Sequence, residues 1–252
     1  MRNRKLNAAE AVECLERLLG RPWLEENVKL MKDGQGGRGG FGRSIDYAAL
    51  GVAPVVSLWY RAREEMIAAQ ISGTGLTGTH TLHAAVIGAD LSSIKDCPGF
   101  DFILSRLRQA NSLTPAANEL CIAAGYAQSG YGVHFMHRNG FIVEGRGRKA
   151  LVTCVGPAPP EDDFCMQPFQ TEAGLSGTGH VLYWWAGDGF AGFGGVPAEW
   201  IALHNTSVVI FASGIQKLNN RPVFIRKGRL VSLANISLQD DIYVPGELLE
   251  PY

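Results

Sequence analysis

The sequence lacks the features that mark membrane-spanning and exported proteins. No apolar run among the 252 residues approaches the roughly 18 to 20 residues that a bilayer-spanning helix needs. The segment MRNRKLNAAEAVECLERLL begins basic and becomes a charged amphipathic helix, without the apolar block of a signal peptide. These absences predict a cytoplasmic protein with no membrane partner.

Cysteine and net charge are also low. The cysteines are odd in number and form no CxxC pair, which in a chain without an export signal favours free thiols over disulfides: Cys14, Cys97, Cys121, Cys154 and Cys165. The formal net charge is -1, so a general attraction to nucleic acid is not built in. Any such binding must come from a local basic patch.

The first part of the chain has the apolar spacing of helices. The pattern predicts helices over residues 8–20 and about 56–70, with the glycine-rich stretch GQGGRGGFG between them. Residues 1–95 are therefore expected to form a mostly helical N-terminal region, whose purpose the pattern does not indicate.

The pattern changes from about residue 98. FDFILSRLRQA predicts an amphipathic helix, and TPAANELCIAAGYAQSG predicts a second one with Thr114 as N-cap and Gly130 at its C-terminal end. YGVHFMH, FIVE and KALVTCV then alternate as strands joined by the turns HRNG and GRGR.

The C-terminal part predicts further strands. After the linker GPAPPEDD, strands are expected at VLYWW, SVVIFAS, PVFIR and RLVSLA, and a short helix at PAEWIAL. Residues 96–252 are thus predicted to form an α/β (α+β) domain with a mixed sheet flanked by helices.

Segment 100–155 resembles the PD-(D/E)XK restriction-endonuclease-like superfamily, particularly its bacterial members. In that family a helix with a glutamate leads into a strand, and a metal-binding hairpin follows. The matching residues here are Glu119-Leu120, Ala123-Ala124, Gly130, Val133 and Phe135, followed by FIVEGRGR and ALVTCV. The resemblance implies a restriction-endonuclease-like sheet.

The residues that the family uses to bind Mg²⁺ are mostly replaced. Carried over by position, its aspartate falls on Phe141, its strand acid on Thr153 and its lysine on Val155, while the helix glutamate remains as Glu119. Mg²⁺ requires oxygen ligands, which Phe and Val cannot supply. The resemblance therefore implies an eroded nuclease with no cofactor, acting as a non-catalytic nucleic-acid-binding subunit or as an assembly or regulatory subunit beside a catalytic partner or another copy of itself.

Two alternatives stay open. The first is an active Mg²⁺-dependent DNA or RNA nuclease with relocated residues, using Glu119 with Glu144 and Lys149. Strand alternation sets Glu144 opposite Phe141, and Lys149 lies about 13 Å along the strand from Thr153, so the turn would have to bend inward. The second alternative is a protein–protein interaction module.

Basic residues flank the predicted turns. One set surrounds the first hairpins and the other flanks a C-terminal hairpin: Arg138, Arg146, Arg148 and Lys149, then Arg221, Arg226, Lys227 and Arg229. If both sets lie on one rim of the sheet, they would bind the phosphate backbone of DNA or RNA. The alternative is that they are ordinary solvated turn residues.

Overall fold

The structure is a computed structural model that describes residues 2–36, 47–73, 77–110, 113–137, 140–156, 179–187, 206–232 and 242–251. Its helices are α1 (Ala8–Leu19), α2 (Arg21–Gly36), α3 (Tyr47–Leu50), α4 (Pro54–Ser72), α5 (Thr79–Ile94), α6 (Phe100–Leu107) and α7 (Leu113–Gln128). Its strands are β1 (Arg2–Leu6), β2 (Gly132–Phe135), β3 (Phe141–Gly145), β4 (Arg148–Val155), β5 (Gly179–Trp185), β6 (Thr206–Leu218), β7 (Arg221–Ser232) and β8 (Gly246–Pro251). In these ranges no helix is long and apolar enough to cross a membrane.

The eight strands of the described residues form one mixed sheet, which confirms the predicted α/β class. The strand order is β1-β8-β7-β6-β5-β4-β3-β2. Strands β4, β5 and β6 run parallel, as do β1 and β8, and the remaining neighbours are antiparallel. The predicted succession of one helix and three antiparallel strands is confirmed as α7, β2, β3 and β4.

Two boundaries differ from the predictions. Helix α7 begins at Leu113, so Thr114 lies within its first turn instead of capping it. PVFIR and RLVSLA do not form two strands, because β7 continues through both up to Ser232. The hairpin lies earlier, at Asn219 and Asn220, whose φ angles of 50° and 64° suit a two-residue turn. Apart from Gly156, the segments GPAPPEDD and PAEWIAL lie outside the described residues.

The two faces of the sheet carry different side chains. The face towards the helices, here the helix face, carries residues of the large core such as Val152, Tyr183 and Phe211. The other side, here the opposite face, carries a smaller buried cluster of Leu182, Val208 and Ile210. Because strand side chains alternate, each strand residue can be assigned to one face by its register.

The core spans the predicted division of the chain. One buried cluster includes Leu15 and Leu91 from before residue 96 and Leu120 and Phe211 from after it. Strand β1 also joins the sheet beside β8, with Arg2 opposite Glu247. Among the described residues, the predicted boundary at 95/96 coincides with no gap in packing.

Helix α5 is held by two close contacts. A Cβ atom added at Gly88 would lie 1.9 Å from the carbonyl oxygen of Ala11 in α1, so only glycine allows the two helices to approach this closely. At its N-terminus, the carboxylate of Glu65 accepts hydrogen bonds from the backbone N–H of Thr81 at 2.8 Å and of His80 at 3.3 Å. These contacts place α5 across the sheet.

Candidate functional site

Glu119, the family residue retained in the sequence, lies in the core. Its side chain on α7 is buried, and the residue is 4% exposed. One carboxylate oxygen accepts from Arg106 Nη2 at 2.8 Å and from the backbone N–H of Gly140 at 3.3 Å. Burial raises the pKa of Glu119 to about 7, against the opposing effect of Arg106. This carboxylate joins α6, α7 and the start of β3.

The three replaced family positions do not surround one point. Phe141 is fully buried on the helix face, where it pairs with Val152 of the neighbouring strand β4. Thr153 and Val155 lie on the opposite face, where Thr153 Oγ1 is 2.8 Å from His180 Nε2 and Val155 packs against the cluster of Leu182. The expectation that these positions enclose one eroded metal site is therefore wrong, because strand alternation separates them.

The helix face itself does not fit Mg²⁺ near Glu119. In the second half of β4, the residues on this face are Val152, which is apolar, and Cys154, whose thiol pKa is raised well above its ordinary value by burial and by the charge of Glu119. A protonated thiol and an aliphatic side chain are poor partners for a hard cation. Within the described ranges, no group of three or more His, Cys, Asp or Glu side chains is arranged to hold a metal ion.

The residues of the alternative nuclease site, Glu119, Glu144 and Lys149, are also not brought together. Glu144 and Lys149 face each other across β3 and β4 with 4.0 Å between Oε2 and Nζ, and the side chain of Glu144 is 71% exposed. They lie on the opposite face, whereas Glu119 is buried on the helix face. Glu119 meets β3 at Gly140, four residues and about 13 Å along the strand from Glu144. Glu119, Glu144 and Lys149 do not converge on one ion.

The basic residues of the first hairpins point in different directions. Arg146 has a φ of 52° in the β3–β4 turn, and its guanidinium lies 5.5 Å from the ring centre of Tyr131. Arg148 has the register of the helix face and Lys149 that of the opposite face. Arg138 lies outside the described residues.

Arg226 is an internal residue, which corrects its prediction as part of an exposed basic rim. It is 3% exposed, and its two terminal nitrogens donate to both carboxylate oxygens of Asp90 on α5. Nη1 also donates to Glu247 Oε2 on β8 at 3.2 Å. Burial acts to lower the pKa of Arg226, but the negative charge of Asp90 outweighs it and raises this pKa well above its ordinary value. This guanidinium ties α5 to β7 and β8.

The other cations of β7 lie on the opposite face. Arg221, Lys227 and Arg229 are exposed. Each lies an odd number of residues from Arg226 along β7, so its side chain is on the face of the sheet that Arg226 does not occupy. Strand pairing connects Arg229 with Ile210, Ile210 with Trp184 and Trp184 with Val155, so Arg229 lies at the same height in the sheet as the end of β4. Arg221 lies at the β6–β7 hairpin, far from the β3–β4 turn. The two predicted sets thus share no rim. Lys149, Arg221, Lys227 and Arg229 instead share the opposite face, and these four are called the basic face below.

A cavity of about 330 Å³ lies on the helix face, and no sequence motif predicted it. Its walls include one side of α5 at His83, Val86, Ile87 and Asp90, the helical spacing of a single face. That spacing was the available signal, but it is shared by ordinary core helices. Trp185 and Arg226 complete the wall from the sheet.

No family model, no curated protein and no solved structure matches the chain. The resemblance of residues 100–155 to the PD-(D/E)XK superfamily therefore stays a prediction. Function has to be inferred from the geometry of the side chains.

Proposed function

We propose that this protein is a catalytically inactive, nuclease-like protein that binds nucleic acid through the basic face, as a binding or regulatory subunit. The observation that carries the proposal is the common orientation of Lys149, Arg221, Lys227 and Arg229, which all belong to the side of the sheet away from α5 and α7. Phosphate recognition has to come from cations that share one surface, because the chain as a whole has a net charge of -1.

The spacing of these cations suits a backbone-tracking surface. Lys227 and Arg229 are two residues apart on one strand, and Lys149 lies about 20 Å along the strands and about 14 Å across them from Arg229. Contacts of this kind hold phosphates and read little base sequence. Up to four phosphate contacts on duplex DNA would give log Kobs against log salt a slope of roughly -3 to -4.

The lack of catalysis is supported by how the carboxylates are engaged. Glu119 accepts from Arg106 and Gly140, and Glu144 lies on the other face beside Lys149. Metal-assisted hydrolysis needs carboxylates that meet at one cation, about 2 to 2.5 Å from it. The described carboxylates near β3 and β4 do not meet in this way.

Fluorescence anisotropy with a labelled duplex DNA, a single-stranded DNA and a duplex RNA, over a salt series, tests the proposal. The key variant is Lys227→Glu/Arg229→Glu. Its matched control is Lys29→Glu/Lys95→Glu, which changes the same total charge at exposed positions of α2 and at the end of α5. We expect salt-dependent binding by the wild type and the control, and a loss of at least tenfold in affinity for the basic-face variant.

Two results would overturn the proposal. Equal loss in both double variants would assign the binding to net charge, and absence of binding to every probe would redirect the search to protein partners. Cleavage in Mg²⁺ or Mn²⁺ is measured on the same probes. Metal-dependent cutting that is lost in Glu144→Gln would establish the relocated nuclease instead, and this exposed position avoids disturbing the core.

A further inference from the structure

We propose that the cavity between α5, α7, the end of β5 and the central parts of β6 and β7 binds an uncharged planar heterocycle of nucleobase or nucleoside size. The cavity lies on the helix face and the basic face lies on the other side of the sheet. The inference therefore does not depend on the proposed nucleic-acid binding.

The position of the cavity follows from the sheet topology. Strands β4, β5 and β6 run parallel, and β5 ends at Trp185, opposite Phe211. Strand β6 continues past that point, and its residues Ser213 to Ile215 form part of the cavity wall. The cavity therefore lies beyond the carboxyl end of β5, and α/β sheets commonly bind ligands outside the carboxyl ends of their parallel strands.

The size and the walls of the cavity favour a small flat ligand. Its volume of about 330 Å³ is near the lower end of the roughly 300 to 1,000 Å³ typical of small-molecule sites. Trp185, Phe224 and His83 contribute rings, and Ile87 and Leu113 contribute aliphatic surface. Aromatic and aliphatic walls of this kind pack well against one or two fused rings.

The cavity wall contains two buried nitrogens for which the described part of the chain supplies no hydrogen-bond acceptor. Trp185 Nε1 and Arg226 Nε are buried and, among the described residues, have no hydrogen-bond acceptor. Arg226 is 3% exposed, and both residues line the cavity. Each of these nitrogens can only donate. The first turn of α7, at Leu113 and Thr114, also lines the cavity and brings the positive end of the helix dipole to it. Both nitrogens are shielded from the cavity, so a ligand with ring-nitrogen or carbonyl acceptors would pair with them after a rotation of the two side chains.

The charges beside the cavity disfavour ions. Two carboxylates, of Asp90 and Glu247, share the single guanidinium of Arg226, so an added phosphate would meet an excess of negative charge. A cation would bring further donors to a wall that already has unpaired donors. An uncharged ligand avoids both difficulties.

Covalent attachment is not part of the site. Cys121 lines the cavity, but burial raises its thiol pKa to about 12, so the sulfur stays protonated at neutral pH. A protonated thiol is a poor nucleophile. Binding is therefore reversible and depends on shape and hydrogen bonds.

The test is a two-dimensional NMR titration that follows the indole N–H signals of the five tryptophans. The signal of Trp185 is assigned by its loss in Trp185→Phe. The probes are adenosine, guanosine, cytidine and uridine, each compared with its 5′-monophosphate, which adds negative charge to the same ring. We expect at least one nucleoside to shift the Trp185 signal with a Kd near or below about 1 mM, and its monophosphate to bind at least tenfold more weakly.

Two variants locate the site. Ala117→Leu adds volume to the cavity wall from α7 and is expected to weaken nucleoside binding at least tenfold. Ala68→Leu makes the same change at an exposed position of α4 and is expected to leave the affinity unchanged. Circular dichroism melts establish that both variants are folded.

Three outcomes would overturn the inference. They are no shift of the Trp185 signal with any nucleoside, equal binding by wild type and a folded Ala117→Leu variant, or tighter binding of the monophosphates than of the nucleosides. The last outcome would make the site anionic in its preference. None of these results affects the anisotropy experiment on the basic face, so the two proposals fail separately.

Discussion

Arg106 and Glu119 form an ion pair buried between α6 and α7, with 2.8 Å between Nη2 and Oε1. The pair occupies the place where the family resemblance implies a metal ligand. Since both side chains are shielded from water, removing one leaves the other charged group without its main partner. The pair therefore acts as a structural connection among α6, α7 and β3.

The first prediction concerns this ion pair. Glu119→Ala is expected to lower the free energy of unfolding by about 3 to 5 kcal/mol, because Arg106 stays buried without its carboxylate. Glu119→Gln should cost less, since its amide oxygen can still accept from Arg106 and Gly140. Urea denaturation measures both, with Glu144→Ala as the exposed control, expected within about 0.5 kcal/mol of wild type. Similar small effects at positions 119 and 144 would contradict this role.

The second prediction concerns pH and His180. Burial lowers the pKa of His180 from 6.5 to about 4, so the unfolded chain binds this proton more readily than the folded one. The stability that depends on neutral His180 is complete above pH 6.5 and is lost as the pH falls towards 4. Relative to pH 7, this residue should reduce the free energy of unfolding by about 2 to 3 kcal/mol at pH 4.

The comparison variant is His180→Gln, which can keep a hydrogen bond to Thr153. The difference in unfolding free energy between wild type and variant should change with pH between 7 and 4, in the sense that the wild type loses more. Taking this difference at each pH removes the opposing contribution of Glu119, whose raised pKa favours folding at lower pH. A difference that is constant over this range would refute the assignment.

The third prediction concerns the cap of α5 by Glu65. Burial acts to raise the pKa of Glu65, but hydrogen bonds from Thr81 and His80 outweigh it and hold the pKa below its ordinary value. Glu65→Ala should cost about 1 to 2 kcal/mol at neutral pH, as for other lost N-terminal caps. The loss should shrink as the pH falls below 4.5, because the unfolded wild type then takes up a proton at Glu65, and it should vanish once the folded carboxylate is protonated at still lower pH. Thermal melts compare it with Glu64→Ala, its exposed neighbour, which should have little effect.

The fourth prediction concerns the crossing of α1 and α5. Gly88→Ala would place a Cβ atom 1.9 Å from the carbonyl oxygen of Ala11, and backbone atoms cannot yield as a flexible side chain does. The two helices must move apart, with an expected loss of about 3 kcal/mol or more. Gly156→Ala is the matched control, because nothing lies within 4 Å of its added Cβ. An unchanged melting temperature for Gly88→Ala would show that the helices do not pack this closely.

Periodicity predicted the amphipathic and alternating elements but missed others for physical reasons. Helices α1, α4, α6 and α7 and strands β2 to β5 follow apolar spacing that local sequence displays. Helix α5 is buried on most sides, so its residues show no single apolar stripe. Strand β1, RNRKL, is mostly charged and becomes a strand because β8 pairs with it.

The division of β7 into two strands arose from RKGR, which has the composition of a turn. Gly228 instead lies mid-strand, where its N–H donates to the carbonyl of Pro245 at 2.6 Å. An added Cβ would lie 2.8 Å from Pro245 Cδ, which explains glycine at this position.

The candidate site depended on contacts that local sequence does not contain. Arg226 looked like a turn cation, and its burial follows from Asp90, 136 residues away in the chain. The assignment of Thr153 and Val155 to one side and Phe141 to the other requires the strand register, which one residue of error reverses. The sequence showed which residues lie near each predicted turn, but it did not show to which face of the sheet their side chains belong.

The parallel pairing of β1 with β8 has a consequence for how the protein is made. Strand β1 is synthesised before the other described elements, yet its partner residues around Glu247 follow the described helices and the other described strands. Until then β1 cannot take its place, and the edge of β7 that β8 will cover is open to other strands. The sheet thus stays unfinished while the residues between β1 and β8 are synthesised, a period in which a chaperone would protect the chain from aggregation.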